Sequence, residues 1–222
     1  MHRKILRFLF FVILVFCFWY TVNIEKIQYV EKAAVFKNQI QPMTDFTVTT
    51  STELPDREIT LREAILISIE QAKEFDQYPE LMSIESKTDK KGTGKDGKKP
   101  NWNCIISLPN QKYNMNIVIE NGKLKNYHFS DSSNGRPIKN LDISIDSDKF
   151  IKTATQKYGL KPISIKNLPS GYFNFKIQRN DEQQAVFSIE GQGKSGKYME
   201  IYFDPFDGKY LGRGVKETDD IE

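Results

Sequence analysis

The stretch from Glu190 to Gly212 comes closest to a known binding motif in this chain. It reads EGQGKSGKYMEIYFDPFDGKYLG. Gly191, Gly196 and Lys197 match the phosphate-binding loop G-x-x-x-x-G-K-[S/T], in which backbone N–H groups and the lysine hold nucleotide phosphates. The last position of the motif is a Ser or Thr that contacts the magnesium ion, and here it is Tyr198.

The residues after Lys197 argue against a phosphate loop. Such a loop leads into the N-terminus of a helix, whose dipole stabilises the bound phosphates. The segment that follows, YMEIYFD, instead alternates with a period of two, which is typical of a strand. We therefore predict a hairpin loop, a Lys197 that holds no phosphate, and a chain that binds no nucleotide.

Few other residues have the spacing of a catalytic or metal site. The two histidines are His2 and His128, and no H-E-x-x-H, C-x-x-C or G-x-S-x-G motif is present. His128 is interpreted as a surface or strand-edge residue. Asp142, Asp146 and Asp148 could bind Ca²⁺ weakly, but helix capping explains them without an ion. We expect no enzyme activity, no catalytic residue, no metal ligand and no cofactor.

Cys104 is expected to be a buried core thiol. In WNCIISL it shares one face of an alternating strand with Trp102, Ile106 and Leu108. A reactive or intermolecular thiol is the alternative. The other cysteine, Cys17, lies in an apolar segment, so an intramolecular disulfide is not expected.

Composition describes an ordinary globular chain with an unusual N-terminus. The 222 residues are 39% hydrophobic and 27% charged. The formal net charge of +3 equals the charge of Arg3, Lys4 and Arg7, so the rest of the chain is neutral. A nucleic-acid partner is therefore not expected, because such proteins carry a basic excess.

Residues 1–24 are predicted to be a cytoplasmic tip and a transmembrane anchor. The run from Phe8 to Ile24 carries no charge, and the basic residues before it favour a cytoplasmic N-terminus. A cleaved signal peptide is the alternative, although no small-x-small cleavage site follows. The interpretation places the protein in the cell membrane as a single-pass protein with an extracytoplasmic C-terminal domain.

The remainder divides into a linker and two helix-plus-strand segments. Residues 25–58 are predicted as a stalk helix and an extended linker. Helices are predicted at 59–75, with Thr60 and Glu63 as a capping box, and at 146–160, with Asp146 as cap and Gly159 as stop. Strands with alternating patterns follow each helix, at 80–86, 102–108 and 113–120, and at 171–178, 184–191 and 197–204.

The two halves have matching landmarks. The caps Thr60 and Asp146 are 86 positions apart, as are the turn glycines Gly122 and Gly208. This spacing indicates a duplicated unit. It predicts an α+β fold with a first module at 59–130 and a second at 141–217, either as two packed modules or as one pseudo-symmetric domain.

The second half resembles the PepSY family. In the segment IYFDPFDGKYL, a strand ends at Asp204, a turn contains Gly208 and Lys209, and a return strand follows. The helix with Ala154 and the strand at 185–190 also fit. The first half fits less well: Trp102 and Gly122-Lys123 are in place, but Glu120-Asn121 replaces the aspartate and shortens the turn.

The resemblance implies a PepSY or cystatin-like fold, with a helix packed on an antiparallel sheet. It also implies membrane-anchored proteins of bacterial envelopes that restrain or assist peptidases, and it brings no catalytic residues. From it we expect a binding or regulatory protein that engages a protein partner, for example an envelope peptidase or wall enzyme. The alternative is a structural component of a secretion, conjugation or spore-envelope complex, and a hydrolase is the weakest hypothesis.

The stretch KTDKKGTGKDGKKPN (87–101) contains six lysines and two aspartates. The simplest interpretation is a flexible, solvated hairpin loop. The functional alternative is contact with anionic envelope material, such as lipid headgroups or a wall polymer.

Overall fold

Antiparallel strands make up most of the structure, a computed structural model that describes residues 46–47, 56–87, 92–132, 135–138, 146–165 and 168–215. The elements up to residue 131 are β1 (Phe46–Thr47), β2 (Ile59–Thr60), α1 (Leu61–Ala72), β3 (Glu80–Ser86), β4 (Lys98–Lys99), β5 (Trp102–Leu108), β6 (Tyr113–Glu120) and β7 (Lys123–Asp131). The later elements are α2 (Ser147–Tyr158), β8 (Ile163–Ile165), β9 (Leu168–Tyr172), β10 (Asn174–Arg179), β11 (Ala185–Gln192), β12 (Tyr198–Phe203) and β13 (Tyr210–Val215).

One nine-stranded antiparallel sheet runs through both halves, in the order β1-β7-β6-β5-β3-β10-β11-β12-β13. The halves join where β3 pairs with β10, with Ile84 opposite Ile177 and Glu85 opposite Lys176. Two short ribbons, β2 with β4 and β8 with β9, accompany the large sheet. The described residues all lie in one compact unit, Asp45–Glu222.

Alternation along the strands gives the sheet two different faces. In β5 and β12, every second residue is buried, from Trp102 to Leu108 and from Met199 to Phe203. Successive side chains of a strand point to opposite faces, so these apolar residues share the first face of the sheet. Both helices pack on this first face, which contains the hydrophobic core.

A chain of aromatic rings carries the core across the join between the halves. The Trp102 ring stacks on Phe175 with centroids 6.2 Å apart, and Phe175 stacks on Phe187 at 6.3 Å. Phe150 of α2 then contacts Phe187 at 4.4 Å and Phe203 at 5.2 Å. These rings are almost fully buried, so both halves fold around a single core.

The N-termini of the two helices meet at Asp146 and Ser147. Thr60 caps α1 through the predicted capping box, accepting from the Glu63 N–H at 3.3 Å. The first two N–H groups of α1 donate instead to residues at the N-terminus of α2. Leu61 N–H donates to Ser147 Oγ at 3.0 Å, and Arg62 N–H donates to Asp146 Oδ1 at 3.1 Å.

The same two residues also serve α2 and the loop at 92–100. Asp146 Oδ1 accepts from the Ser147 N–H at 2.7 Å, which caps α2. The Ser147 hydroxyl donates to the Gly97 carbonyl at 2.6 Å. Gly97 has φ +83°, and a Cβ there would lie 2.4 Å from the Asp148 backbone, so only glycine fits between the loop and the helix.

The predicted arrangement as separate helix-plus-sheet modules at 59–130 and 141–217 is wrong. The described chain is mostly β, with two helices on one large sheet, and the β3–β10 pairing leaves no boundary between modules. The predicted strand bounds did not include β7, or β13, the return strand expected after Lys209; both strands are only partly buried. The PepSY or cystatin-like module fold that the resemblance implied is wrong for the same reason.

The helices themselves lie at their predicted positions, and α2 ends at Gly159 as predicted.

The predicted membrane span is not supported either. Within the described ranges, no helix has the length and apolar character needed to cross a membrane. The predicted anchor (1–24), nearly all of the linker (25–58) and Cys17 lie outside the described residues. The cell-membrane localisation depended on that span, so it is withdrawn.

Replacing Ser147 with alanine should destabilise the domain by about 2–4 kcal/mol, because the buried Leu61 N–H and Gly97 carbonyl would each lose a partner. Urea unfolding of the full chain measures this loss. Thr153→Ala is the matched control, since the Thr153 hydroxyl bonds only within α2 at an exposed position; its effect should stay within about 0.5 kcal/mol. Equal effects of the two changes would contradict the shared cap.

Candidate functional site

The predicted hairpin at Gly193–Lys197 is confirmed. Gly193 N–H donates to the Lys197 carbonyl at 2.9 Å, and Gly196, with φ +77°, donates to the Gly193 carbonyl at 3.0 Å. Strand β12 begins directly afterwards at Tyr198. The helix N-terminus that a phosphate loop requires is therefore replaced by a strand.

The turn at 204–209 also has its predicted form. Gly208 has φ +74° and donates its N–H to the Asp204 carbonyl at 3.0 Å, while Asp204 Oδ1 accepts from the Phe206 N–H at 2.8 Å. The contacts to the Asp204 carbonyl and carboxylate close the turn, so Asp204 has a structural role here.

The remaining residues considered for chemistry are dispersed. Cys104 is 1% exposed, and burial raises the pKa of its thiol to about 12, which keeps it protonated and unreactive at neutral pH. His128 lies on β7 opposite Asn116. Asp146 and Asp148 belong to the start of α2, and Asp142 lies outside the described residues. Among the described residues, no three His, Cys, Asp or Glu side chains could hold a metal ion together.

The lysine-rich loop is not a solvated hairpin over residues 92–100. Lys99 is fully buried, its ammonium donates to the Gly92 carbonyl at 2.8 Å, and it lies 5.7 Å from the centre of the Tyr172 ring. Phe173 N–H donates to the Thr93 carbonyl at 2.9 Å. This part of the loop is therefore a packed connection between the halves.

The most distinctive cluster of polar side chains lies on the second face of the sheet. We call it the cluster, and its members are Asn174, Lys176, Ser188, Glu190, Tyr198, Glu200 and Tyr202. We call the second face over β10–β13 the open face, because both helices pack on the first face. Register brings its side chains into rows. Ser188 lies opposite Lys176 on one side and Tyr202 on the other, and Glu190 lies opposite Asn174 and Glu200.

Hydrogen bonds link most members of this cluster. Tyr202 donates its hydroxyl to Glu200 Oε2 at 3.0 Å, and Asn174 donates its amide to Glu190 Oε2 at 3.0 Å. Ser188 differs. It is 3% exposed, and its hydroxyl has no hydrogen-bond partner in the described part of the chain.

Burial, and after it the two carboxylates, raise the pKa values of the neighbouring tyrosines. Desolvation raises the pKa of Tyr202 to about 12, with the Glu200 charge and hydrogen bond as the next causes. The pKa of Tyr198 is also raised, first by desolvation and then by its hydrogen bond to Glu190. Both phenols therefore stay neutral, and able to donate hydrogen bonds, well above neutral pH.

A depression of about 460 Å³ opens beside the cluster, at the end of the β10–β11 hairpin. We call it the acidic depression. Its lining includes Ser188, Glu200, Tyr202, Asp181, Glu182 and Leu211. Arg179 also lines it, but its guanidinium donates to the carbonyls of Arg136, Pro137 and Gln183. Three carboxylates and one arginine leave the lining with a net charge of −2.

On the open face, the outermost strand, β13, contributes two glycines, which have no side chain. Gly212 of β13 lies opposite Tyr202, and a Cβ at this position would meet nothing within 4 Å. Gly214 lies opposite Glu200, and a Cβ there would be 2.9 Å from the Tyr202 hydroxyl. Gly212 therefore leaves open space beside Tyr202 at the edge of the sheet, whereas the Tyr202 hydroxyl lies close to Gly214.

Sequence reasoning identified β12 but not this cluster. The alternation Tyr198, Glu200, Tyr202 places three polar side chains on one face of the strand, and it was available as a signal. The contribution of Ser188 depends on the register of β11 against β12, which no local pattern specifies. Comparisons add no assignment: no protein-family model, no curated protein and no solved structure matches the chain.

Glu200→Gln should lower the pKa of Tyr202, because it removes a negative charge and the acceptor of the phenol's hydrogen bond. Part of the elevation should remain, since desolvation is its largest cause. The pKa is measured from the tyrosine Cζ resonance of the labelled full chain, with Tyr202→Phe for assignment and circular dichroism to verify folding. Glu182→Gln, in the same depression, is the control. An unchanged Tyr202 pKa in Glu200→Gln would refute the coupling.

Proposed function

We propose that this protein is a binding module that engages a segment of a partner protein on the open face of its sheet. The observation that supports this most is the contrast between the two faces. The first face is covered by two helices and holds the core, whereas the open face presents tyrosines, carboxylates and a buried hydroxyl around a depression. The proposed role requires binding groups and no catalytic residue.

The composition of the open face suits a protein partner. Tyrosine is enriched in protein interfaces, because it offers a large, rigid surface with a polar end. Tyr198 and Tyr202 supply two such surfaces on one face of β12, with Glu200 between them, and Gly212 leaves room for a chain to approach beside Tyr202. Exposed Leu211 adds an apolar contact at the rim of the depression.

The chain's own C-terminal segment is a poor occupant of this face. Residues 216–222 read KETDDIE, with four acidic residues and one basic residue. Like charges would repel this segment from the net negative lining of the acidic depression. A separate polypeptide is therefore the occupant that we propose.

Gly212→Trp should weaken partner binding at least tenfold, because the indole would fill the open row beside Tyr202. Peptides are first selected on the full chain from a library of linear 12-residue sequences, and their Kd values are then measured by calorimetry. Gln156→Trp is the matched control, since it adds the same ring at an exposed position of α2, on the helix side of the sheet. It should bind as the wild type does.

Three results would contradict the proposal. The first is that no library peptide binds the full chain. The second is that Gly212→Trp and Gln156→Trp have equal effects. The third is a stable dimer in sedimentation that Gly212→Trp disrupts, which would assign the open face to a second copy of the chain.

A further inference from the structure

We propose that the acidic depression is an anchor site for a basic side chain, the guanidinium of an arginine or the ammonium of a lysine, carried by the partner. This inference rests on the proposed function and specifies the chemistry of the segment that binds. It is carried by Ser188, by Glu200, which lines the depression and faces Glu190 just outside it, and by the charge of the lining.

Ser188 supplies the first argument. A buried hydroxyl normally has a hydrogen-bond partner, because an unpaired one retains the full cost of losing its water. Ser188 is 3% exposed, lines the depression and has no partner within the described chain. A ligand that enters the depression with an N–H group would donate a hydrogen bond to Ser188 Oγ and so satisfy this hydroxyl.

The pair of glutamates supplies the second argument. Glu190 and Glu200 lie directly opposite each other on adjacent strands, and like charges in such a pair destabilise a sheet. No ion pair within 4.0 Å involves either carboxylate among the described residues. Their present partners, Asn174, Tyr198 and Tyr202, donate hydrogen bonds but bring no positive charge. A cation at this position would relieve the repulsion.

Two basic residues beside the cluster, in the described part of the chain, already have partners. Arg179 donates three N–H groups to backbone carbonyls. Lys176, the neighbour of Ser188 on β10, faces Glu85 with the charged atoms 3.9 Å apart. We therefore expect a ligand to supply the positive charge at the depression.

The geometry favours an organic cation over a metal ion. Hard metal ions need several carboxylate or carbonyl oxygens at one point, and the described residues contain no such group. A guanidinium instead offers several N–H donors in a plane and stacks on aromatic rings. The depression presents a matching set: the Glu200 carboxylate, the Ser188 hydroxyl and the Tyr202 ring.

The test uses two small probes of nearly the same shape, acetyl-arginine amide and acetyl-citrulline amide; the second is neutral, because a carbonyl oxygen replaces one guanidinium nitrogen. Each is titrated into the labelled full chain at low salt, and the amide resonances of β11 and β12 are followed. We expect at least tenfold tighter binding of the arginine probe. Glu200→Gln should abolish that preference, and Glu182→Gln, at the rim of the depression, should reduce it less.

Ser188→Ala separates binding from folding. Removing a hydroxyl that has no partner should leave the urea midpoint of unfolding unchanged or raise it, while arginine binding weakens at least threefold. A lowered midpoint with unchanged binding would assign Ser188 to the fold and overturn its role as a ligand contact.

The outcomes distinguish this inference from the proposed function. Equal binding of the two probes would overturn the basic anchor, and peptide selection on the open face would still stand. Arginine binding that Glu200→Gln removes supports the anchor, even if no library peptide binds. Resonance changes confined to α1 and α2 would overturn the anchor.

Discussion

The architecture depends on the point where two helix N-termini share Asp146 and Ser147. Each N-terminus carries a partial positive charge and unsatisfied N–H groups, so bringing two of them together is unfavourable without an acceptor between them. The Asp146 carboxylate accepts from both helices, and Ser147 adds a hydrogen bond to Gly97 in the loop between β3 and β4. This junction fixes both helices on the same face of the sheet. The direct pairing of β3 with β10 is short and comprises two residue pairs.

With both helices on the first face, the second face remains for binding. The apolar positions of β10–β12 alternate with Lys176, Ser188, Glu200 and Tyr202, so the same strands that build the core present the polar rows of the open face. Changes on the open face can therefore alter binding with little effect on the core. At the outer edge, Gly212 and Gly214 of β13 continue these rows without adding a side chain.

Local signals in the sequence predicted the local structure well. Thr60, Asp146, Gly159 and Gly208 were placed correctly as caps, stop and turn, because each depends on a few neighbouring residues. The pairing of β3 with β10 was not predicted, because strand order depends on contacts far apart in sequence, as in the bond from Phe175 N–H to Ser86 Oγ. The cluster was missed for the same reason: a serine in a strand carries no signal of being buried opposite a tyrosine.

The most direct test of the account is the position of a bound peptide relative to the tyrosines of the two faces. Intermolecular nuclear Overhauser effects from a library-selected peptide to the full chain report that position. We predict contacts to the rings of Tyr198 and Tyr202 on the open face. Contacts only to Tyr158 and Tyr210, which stack on each other at 4.3 Å on the helix side, would contradict the proposed binding surface.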